Sequence, residues 1–242
     1  MKRLVIPGIL IFFAVMLATF PARVAYQWIA PAEIRLSGIT GSVWSGSAAE
    51  GIAGGAYVRN ISWRFQPMSL LSGKLGFKTS SNPVSGSINT ELAVSPGGNL
   101  TLSGLSGNVP LDLVHSAFQQ SGIRGDITLQ FETIVISNGI PVAAQGSVII
   151  TDFFVPDLSS SRIGDFRADF QTIDGLIVGT IEDMSGVLDV TGTINLSRDG
   201  LYSFIGLVAP TPATPPSIVN QLRFLGSANE QGQHEFRFEG KL

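Results

Sequence analysis

The sequence predicts a mostly β protein: an N-terminal transmembrane helix, then a curved antiparallel β-sheet or half-barrel domain with a few short helices. Three observations carry that prediction. An uncharged run of 17 residues, Leu4 to Phe20, follows Lys2 and Arg3. From Glu33 onward, apolar and polar residues alternate with period two. Glycine recurs at many of the breaks in that alternation.

The first element is the apolar run. A helix crossing a bilayer needs about 20 apolar residues, so Leu4 to Phe20 is slightly short. Val24, Ala25, Tyr26, Trp28 and Ile29 continue the apolar pattern beyond Pro21, making residues 4–29 the expected membrane segment. Tyr26 and Trp28 suit the aromatic belt of a membrane interface, and Arg23 can snorkel to the headgroups. A cleaved signal peptide would need a small-x-small site. Cleavage after Ala18, Ala22 or Ala25 would instead put Met16, Phe20 or Arg23 at the −3 position. The segment therefore reads as an uncleaved anchor. Its leading positive charges direct everything after it away from the cytoplasm. The division expected is residues 1–30 as cytoplasmic stub and anchor, and 31–242 as one exported β-rich domain. That domain carries 18 acidic against 12 basic residues, a net charge of −6.

The strands come next. Ile34, Leu36 and Ile39 open the alternation; Leu100-Thr101-Leu102, Ile127-Thr128-Leu129-Gln130-Phe131, Val187-Leu188-Asp189-Val190-Thr191 and Phe236-Arg237-Phe238 continue it. Gly38, Gly41, Gly46, Gly86, Gly104, Gly107, Gly125, Gly146, Gly186 and Gly192 are read as its breaks. The pattern fits a meander of short antiparallel strands. Such a sheet has one polar and one apolar face. The apolar face must then be covered by helices, by its own curl, or by a ligand or partner.

Three short helices are expected. Pro67 to Gly73 places Pro first and Gly just past the end. Leu113 to Ser121 lies between Asp112 as N-cap and Gly122, and Ile218 to Leu225 lies between Ser217 and Gly226. Between strands and the last helix, residues 209–216 (Ala-Pro-Thr-Pro-Ala-Thr-Pro-Pro) read as an extended, mobile surface connector that cannot form helix or central strand.

Chemistry is sparse. A net charge of −3 and an isoelectric point near 5.3 offer no basic face for nucleic acid. The absence of Cys removes disulfides, thiol catalysis and thiolate metal sites. His115 and His234 have no ligand partner at metal-binding spacing. No nucleophile elbow, phosphate loop or zincin motif occurs. Glu182-Asp183 would point to opposite faces of a strand, and Asp165 with Asp169 reads as part of a solvated polar face, so no glycosidase pair forms. Asp152, Asp157 and Asp199 are too sparse for calcium. The sequence predicts no enzyme, cofactor or metal.

Two stretches are specific. Leu36-Ser37-Gly38-Ile39-Thr40-Gly41-Ser42-Val43-Trp44-Ser45-Gly46-Ser47-Ala48 is followed by Ile61-Ser62-Trp63-Arg64-Phe65-Gln66-Pro67. The chain closes with Leu222-Arg223-Phe224-Leu225-Gly226 and His234-Glu235-Phe236-Arg237-Phe238-Glu239-Gly240-Lys241-Leu242. With the anchor, these resemble the N component of the bacterial type II secretion system, the general secretion pathway protein N family. The motif residues are Gly41, Trp44, Gly46, Trp63, Pro67, Gly226 and Gly240. The resemblance implies a bacterial inner-membrane protein with a periplasmic domain, serving the export of folded proteins across the outer membrane and contacting other secretion components. From the residues themselves, Gly41 and Gly46 flank Trp44 so that a large ring can pack beside tight backbone. Both tryptophans read as core packing or as a docking patch for a partner.

Two functions follow from different classes. One is a non-enzymatic component of the secretion system acting through protein contacts. The other is an envelope lipid-binding or lipid-transfer module that holds a lipid along the apolar face of a curved sheet.

Overall fold

The computed structural model describes residues 9, 11–13, 15–29, 34–53, 56–83, 86–111, 122–156, 158–159 and 162–242. Period-two alternation becomes one antiparallel sheet whose strand order follows the chain. The strands are β1 (Ile34–Ser37), β2 (Thr40–Gly41), β3 (Ser45–Ala53), β4 (Ala56–Gln66), β5 (Leu75–Pro83), β6 (Ser87–Val94) and β7 (Leu100–Pro110). They continue with β8 (Arg124–Ser137), β9 (Ile140–Phe154), β10 (Gly164–Ile173), β11 (Leu176–Gly186), β12 (Leu188–Leu196), β13 (Leu201–Pro210) and β14 (His234–Lys241). The hydrogen-bonded order is β1-β3-β4 and then every strand in sequence to β14, with the short β2 added beside β3. The sheet is open, with β1 and β14 at its edges.

Cross-strand register sorts the side chains into two faces. Ile127, Leu129 and Phe131 of β8 stand opposite Ile150, Val148 and Gly146 of β9. Those in turn face Phe166, Ala168 and Phe170 of β10. The other face carries Arg167 and Asp169 of β10, Glu182 of β11 and Thr191 of β12. The expected apolar and polar faces are present.

Many glycines read as breaks lie inside strands instead. Gly46 is within β3, Gly104 and Gly107 within β7, Gly125 within β8, Gly146 within β9 and Gly192 within β12. Several glycines make room for a ring on the next strand. Gly46 pairs with Trp63, Gly146 with Phe131, Gly179 with Phe170, Gly206 with Phe236 and Gly240 with Tyr202. A Cβ on Gly179 would sit 2.7 Å from Phe170 Cε1. An aromatic ring lying on glycine shields backbone that has no side chain of its own. Two of the tight turns are Asn138-Gly139 and Asp174-Gly175, with φ of 52° and 82°, and 49° and 81°. Positive φ at both positions is what a right-twisted two-residue hairpin requires.

Pairing between β9 and β10 ends at Gly146 and Phe170. Beyond it the Thr172 hydroxyl donates to Ala144 O (3.1 Å) and accepts from Ala144 N (2.8 Å), replacing the ladder with a side chain. The β8–β9 hairpin then curls over: a Cβ on Gly200, in the β12–β13 turn, would lie 3.2 Å from Ile140 Cδ1. In a flat sheet three strand spacings would separate them by about 14 Å.

The apolar face is covered chiefly at one end. Leu111, Ile123, Val155 and Ile163, from the connections around β7–β8 and β9–β10, pack with Phe153, Phe166 and Leu188. Helix α2 (Pro216–Leu222) buries Ile218 and Leu222 against Val208, Val190 and Phe236. A 3-10 turn, Arg223–Leu225, extends it, so the expected helix over 218–225 is present two residues early and tightened at its end. The expected helix at 67–73 is a 3-10 helix, Pro67–Ser72, closed by Gly73 in the left-handed region. The one at 113–121 lies outside the described residues.

The Pro-rich connector departs from its expected form. Ala209 and Pro210 pair with Asp189 and Leu188 as the end of β13, and Pro216 starts α2. Between them Thr211 Oγ1 donates to Val187 O (3.1 Å), Thr214 Oγ1 donates to the same carbonyl, and Thr211 N donates to Thr214 Oγ1 (2.7 Å). The threonines tie the prolines down.

At the N-terminus, residues 11–13 and 15–18 are helical. The helix stops at Pro21, which bridges Ser42, and a second helix α1 (Ala22–Ile29) begins. The apolar pattern that continues past Pro21 therefore belongs to a separate helix, with Ala22 buried beside Ile39 and Ala48 and Tyr26 packed against that cluster. Among the described residues, no helix is long and apolar enough to cross a membrane.

Candidate functional site

The tryptophan motif forms a junction between the N-terminal helical residues and the first edge of the sheet. Gly41 pairs with Gly46, and Gly46 with Trp63, so three adjacent strands meet with two side chains missing. A Cβ on Gly46 would lie 2.5 Å from Trp63 Cζ2. The Trp63 ring occupies that space and its Nε1–H donates to Ser42 O at 3.1 Å. Trp44, two residues before Gly46, turns the other way along the chain. Its Nε1–H donates to Leu17 O at 2.7 Å, satisfying a carbonyl at the end of the first helical stretch. Val43 N donates to Phe20 O at 3.0 Å beside it.

Trp44 also meets Phe65 edge-on, ring centres 4.9 Å apart, and Phe65 meets Phe77 at 5.5 Å. Phe65 N donates to Trp44 O at 2.6 Å. Both tryptophans are half-buried with their N–H groups bonded to backbone of this chain. Pro67 ends β4 and begins the 3-10 helix, whose Ser69 hydroxyl donates to Gln66 O (2.6 Å) and accepts from Gly76 N (2.8 Å). Helix α1 completes the junction. Tyr26 accepts a hydrogen bond from Leu36 N at 2.9 Å, occupying a donor of edge strand β1.

Gly226 and Gly240 are not part of this cluster; they stand at the opposite edge. Gly226, with φ of 109°, follows the 3-10 turn, and its carbonyl accepts from His234 Nδ1–H at 2.9 Å. Gly240 lies under the Tyr202 ring. Two distinct motif clusters thus mark the two ends of the strand order.

Two features were missed by sequence reasoning. One is an open trough of about 1000 Å³ where β9 and β10 part, lined by Leu105, Phe131 and Phe170 and equally by Gln130, Arg167 and Asp169 of the polar face. The Phe131 and Phe170 rings meet there, 5.8 Å apart, across Gly146. Gly146 midway along an alternating run was its sequence signal. The other is a charged corner on the polar face. The Asp165 carboxylate accepts from Asp152 N (2.8 Å) and the Ser185 hydroxyl (2.7 Å), with Arg162 3.5 Å away. These bonds, led by the Asp152 N–H, hold its pKa below the ordinary carboxylate value. Asp169 is lowered too, by a two-pronged bond from Arg167 at 2.7 and 2.8 Å. Asp183 accepts from Val190 N at 2.8 Å. Each of these carboxylates holds up local structure.

Residues 32–237 match the family described as Type II secretion system (T2SS), protein N. The chain is 22% identical over 242 residues to Type II secretion system protein N of Aeromonas hydrophila, covering 96% of this chain and 94% of that one. No solved structure matches it. The matched residues run from the start of β1 into β14 and include Trp44 and Trp63, and on that match the chain belongs to the type II secretion system protein N family.

Proposed function

We propose that this protein is a non-enzymatic inner-membrane component of the type II secretion system, with its N-terminus in the cytoplasm and its sheet in the periplasm. It assists export of folded periplasmic proteins through contacts with other secretion components. Family membership over 32–237 supports the system. The observation that carries the placement is the Trp44–Leu17 bond, which fastens the apolar N-terminal residues directly to the sheet's first edge. A domain held this way stays against the membrane that its first residues enter. The test is a strain lacking the gene. Folded exoproteins trapped in the periplasm, with the protein itself in the inner-membrane fraction, are the expected result. Normal secretion would overturn the role, and absence from that fraction would overturn the placement.

A second reading is favoured by one feature, the half-buried apolar face on which the Phe131 and Phe170 rings meet where β9 and β10 part. In that reading the face holds a lipid chain. Lipid co-purifying in stoichiometric amount, together with normal secretion and a leaky outer membrane in the deletion strain, would select it. A lipid-free protein would remove it.

A further inference from the structure

The two edges of the sheet are treated differently. β1 has four residues and one of its donors is taken by Tyr26. β14 has eight residues, His234–Lys241, and among the described residues β13 is its sole strand neighbour. A free edge of this length, about 27 Å, is a template for another strand. Phe238 stands on it 60% exposed, stacked on one side against Phe204 at 6.3 Å.

The side chains of β14 say which strand fits. On the polar face the order is Glu235, Arg237, Glu239, Lys241, and on the apolar face His234, Phe236, Phe238, Gly240. We propose that β14 pairs antiparallel with β14 of a second copy about a two-fold axis at Phe238. In that register Arg237 faces Glu239 of the second copy and Glu235 faces its Lys241, and symmetry repeats both pairs. Phe238 meets its own counterpart, and Phe236 faces Gly240 of the second copy, the aromatic-on-glycine pairing the sheet already uses at Gly206 and Gly240.

Competing registers fail on the same residues. A two-residue shift one way opposes Arg237 to itself and Glu235 to Glu239. The other way it opposes Glu239 to itself and Arg237 to Lys241. A one-residue shift sets the polar face of one copy beside the apolar face of the other. Within one chain Arg237 makes only a loose contact with Glu235, 3.9 Å apart with both side chains more than half exposed. The guanidinium is therefore available to a neighbour across the edge. The result is a single sheet continuous through two chains, with both N-terminal junctions at its outer ends.

The pairing stands apart from the secretory role, so either can fail without the other. The chain has no cysteine, so single-Cys variants of the full-length protein give a clean readout. Phe238→Cys should cross-link to itself on mild oxidation far more than Arg237→Cys or Glu239→Cys, because only position 238 faces its own copy. Sedimentation of the full chain in detergent should show a dimer. Arg237→Glu should weaken it by about tenfold or more, through repulsion from Glu239 of the second copy, and the exchange Arg237→Glu with Glu239→Arg should restore it. A monomeric wild type, preferred cross-linking at 237 or 239, or no rescue by the exchange would overturn the pairing.

Discussion

Gly46 gives up a side chain so that the Trp63 ring can lie on β3, and the cost of restoring one can be stated. A Cβ there meets both Trp63 Cζ2 and Thr40 O at 2.5 Å. Gly46→Ala should destabilise by about 1–3 kcal/mol, the usual range for forced overpacking. Gly73→Ala is the comparison: nothing lies within 4 Å of its Cβ, and only its φ of 69° opposes the change, which costs about 1–2 kcal/mol at most. Denaturant titration of both variants checks this; Gly73→Ala costing clearly more than Gly46→Ala would mean that the ring yields easily. Trp44→Phe keeps an aromatic ring for Phe65 while deleting the N–H that reaches Leu17 O. A loss of about 1 kcal/mol is expected. Faster hydrogen exchange at residues 15–20 should accompany it, since the junction is what steadies that helix end.

At the scale of an element, the corner of β9 and β10 depends on Asp165. Its carboxylate holds the N–H of Asp152, a non-glycine residue at φ 53° where β9 bulges. Because its pKa is lower folded than unfolded, its stabilisation is complete above the unfolded value of about 3.9 and is lost as pH falls through the folded value. Asp165→Asn should therefore be less stable than wild type at pH 7, with a smaller gap at an acid pH well below the unfolded value. Urea midpoints at the two pH values decide it, and a gap independent of pH would put the effect elsewhere. Alternation made the strands legible: Ile127, Leu129 and Phe131 land on one face as period two requires. Glycine was less legible, because the residue serves two opposite purposes. Gly38 and Gly86 do mark breaks, whereas Gly46 and Gly146 sit mid-strand beneath rings, and nothing local distinguishes them. The ring lies on the neighbouring strand, a partner that only register identifies. Asn138-Gly139 and Asp174-Gly175 do form tight turns, yet neither glycine was among those read as breaks. The Pro-rich stretch misled because its threonines bond to Val187, a contact 24 and 27 residues away.

Across the whole molecule, the sheet and its N-terminal attachment are one unit. Helix α1 lies before the expected domain start at residue 31, yet it buries Ala22 against Ile39 and Ala48 and caps Leu36 N through Tyr26. A chain trimmed to begin at residue 31 should melt several degrees below one beginning at residue 20, since 1 kcal/mol shifts a domain of this size by about 2–4 °C. Equal melting temperatures would mean that α1 merely rests on the sheet. The tryptophan motif was legible in the sequence, and the partner of Trp44 was not, because Leu17 O lies in the segment that composition assigns to the bilayer.

Strand order that follows the chain has a kinetic consequence. Every strand from β4 to β13 finds its partners in its immediate sequence neighbours, so no pairing among them waits for a distant segment to be made. Closing short loops is fast, and few nonlocal contacts mean low contact order for so large a β protein. A chain that emerges N-terminus first can lay down each hairpin on the one before it, starting from the tryptophan junction. Its growing edge is always the strand just added, and it stays exposed until the next arrives. Among the described residues, β14 is the last such edge.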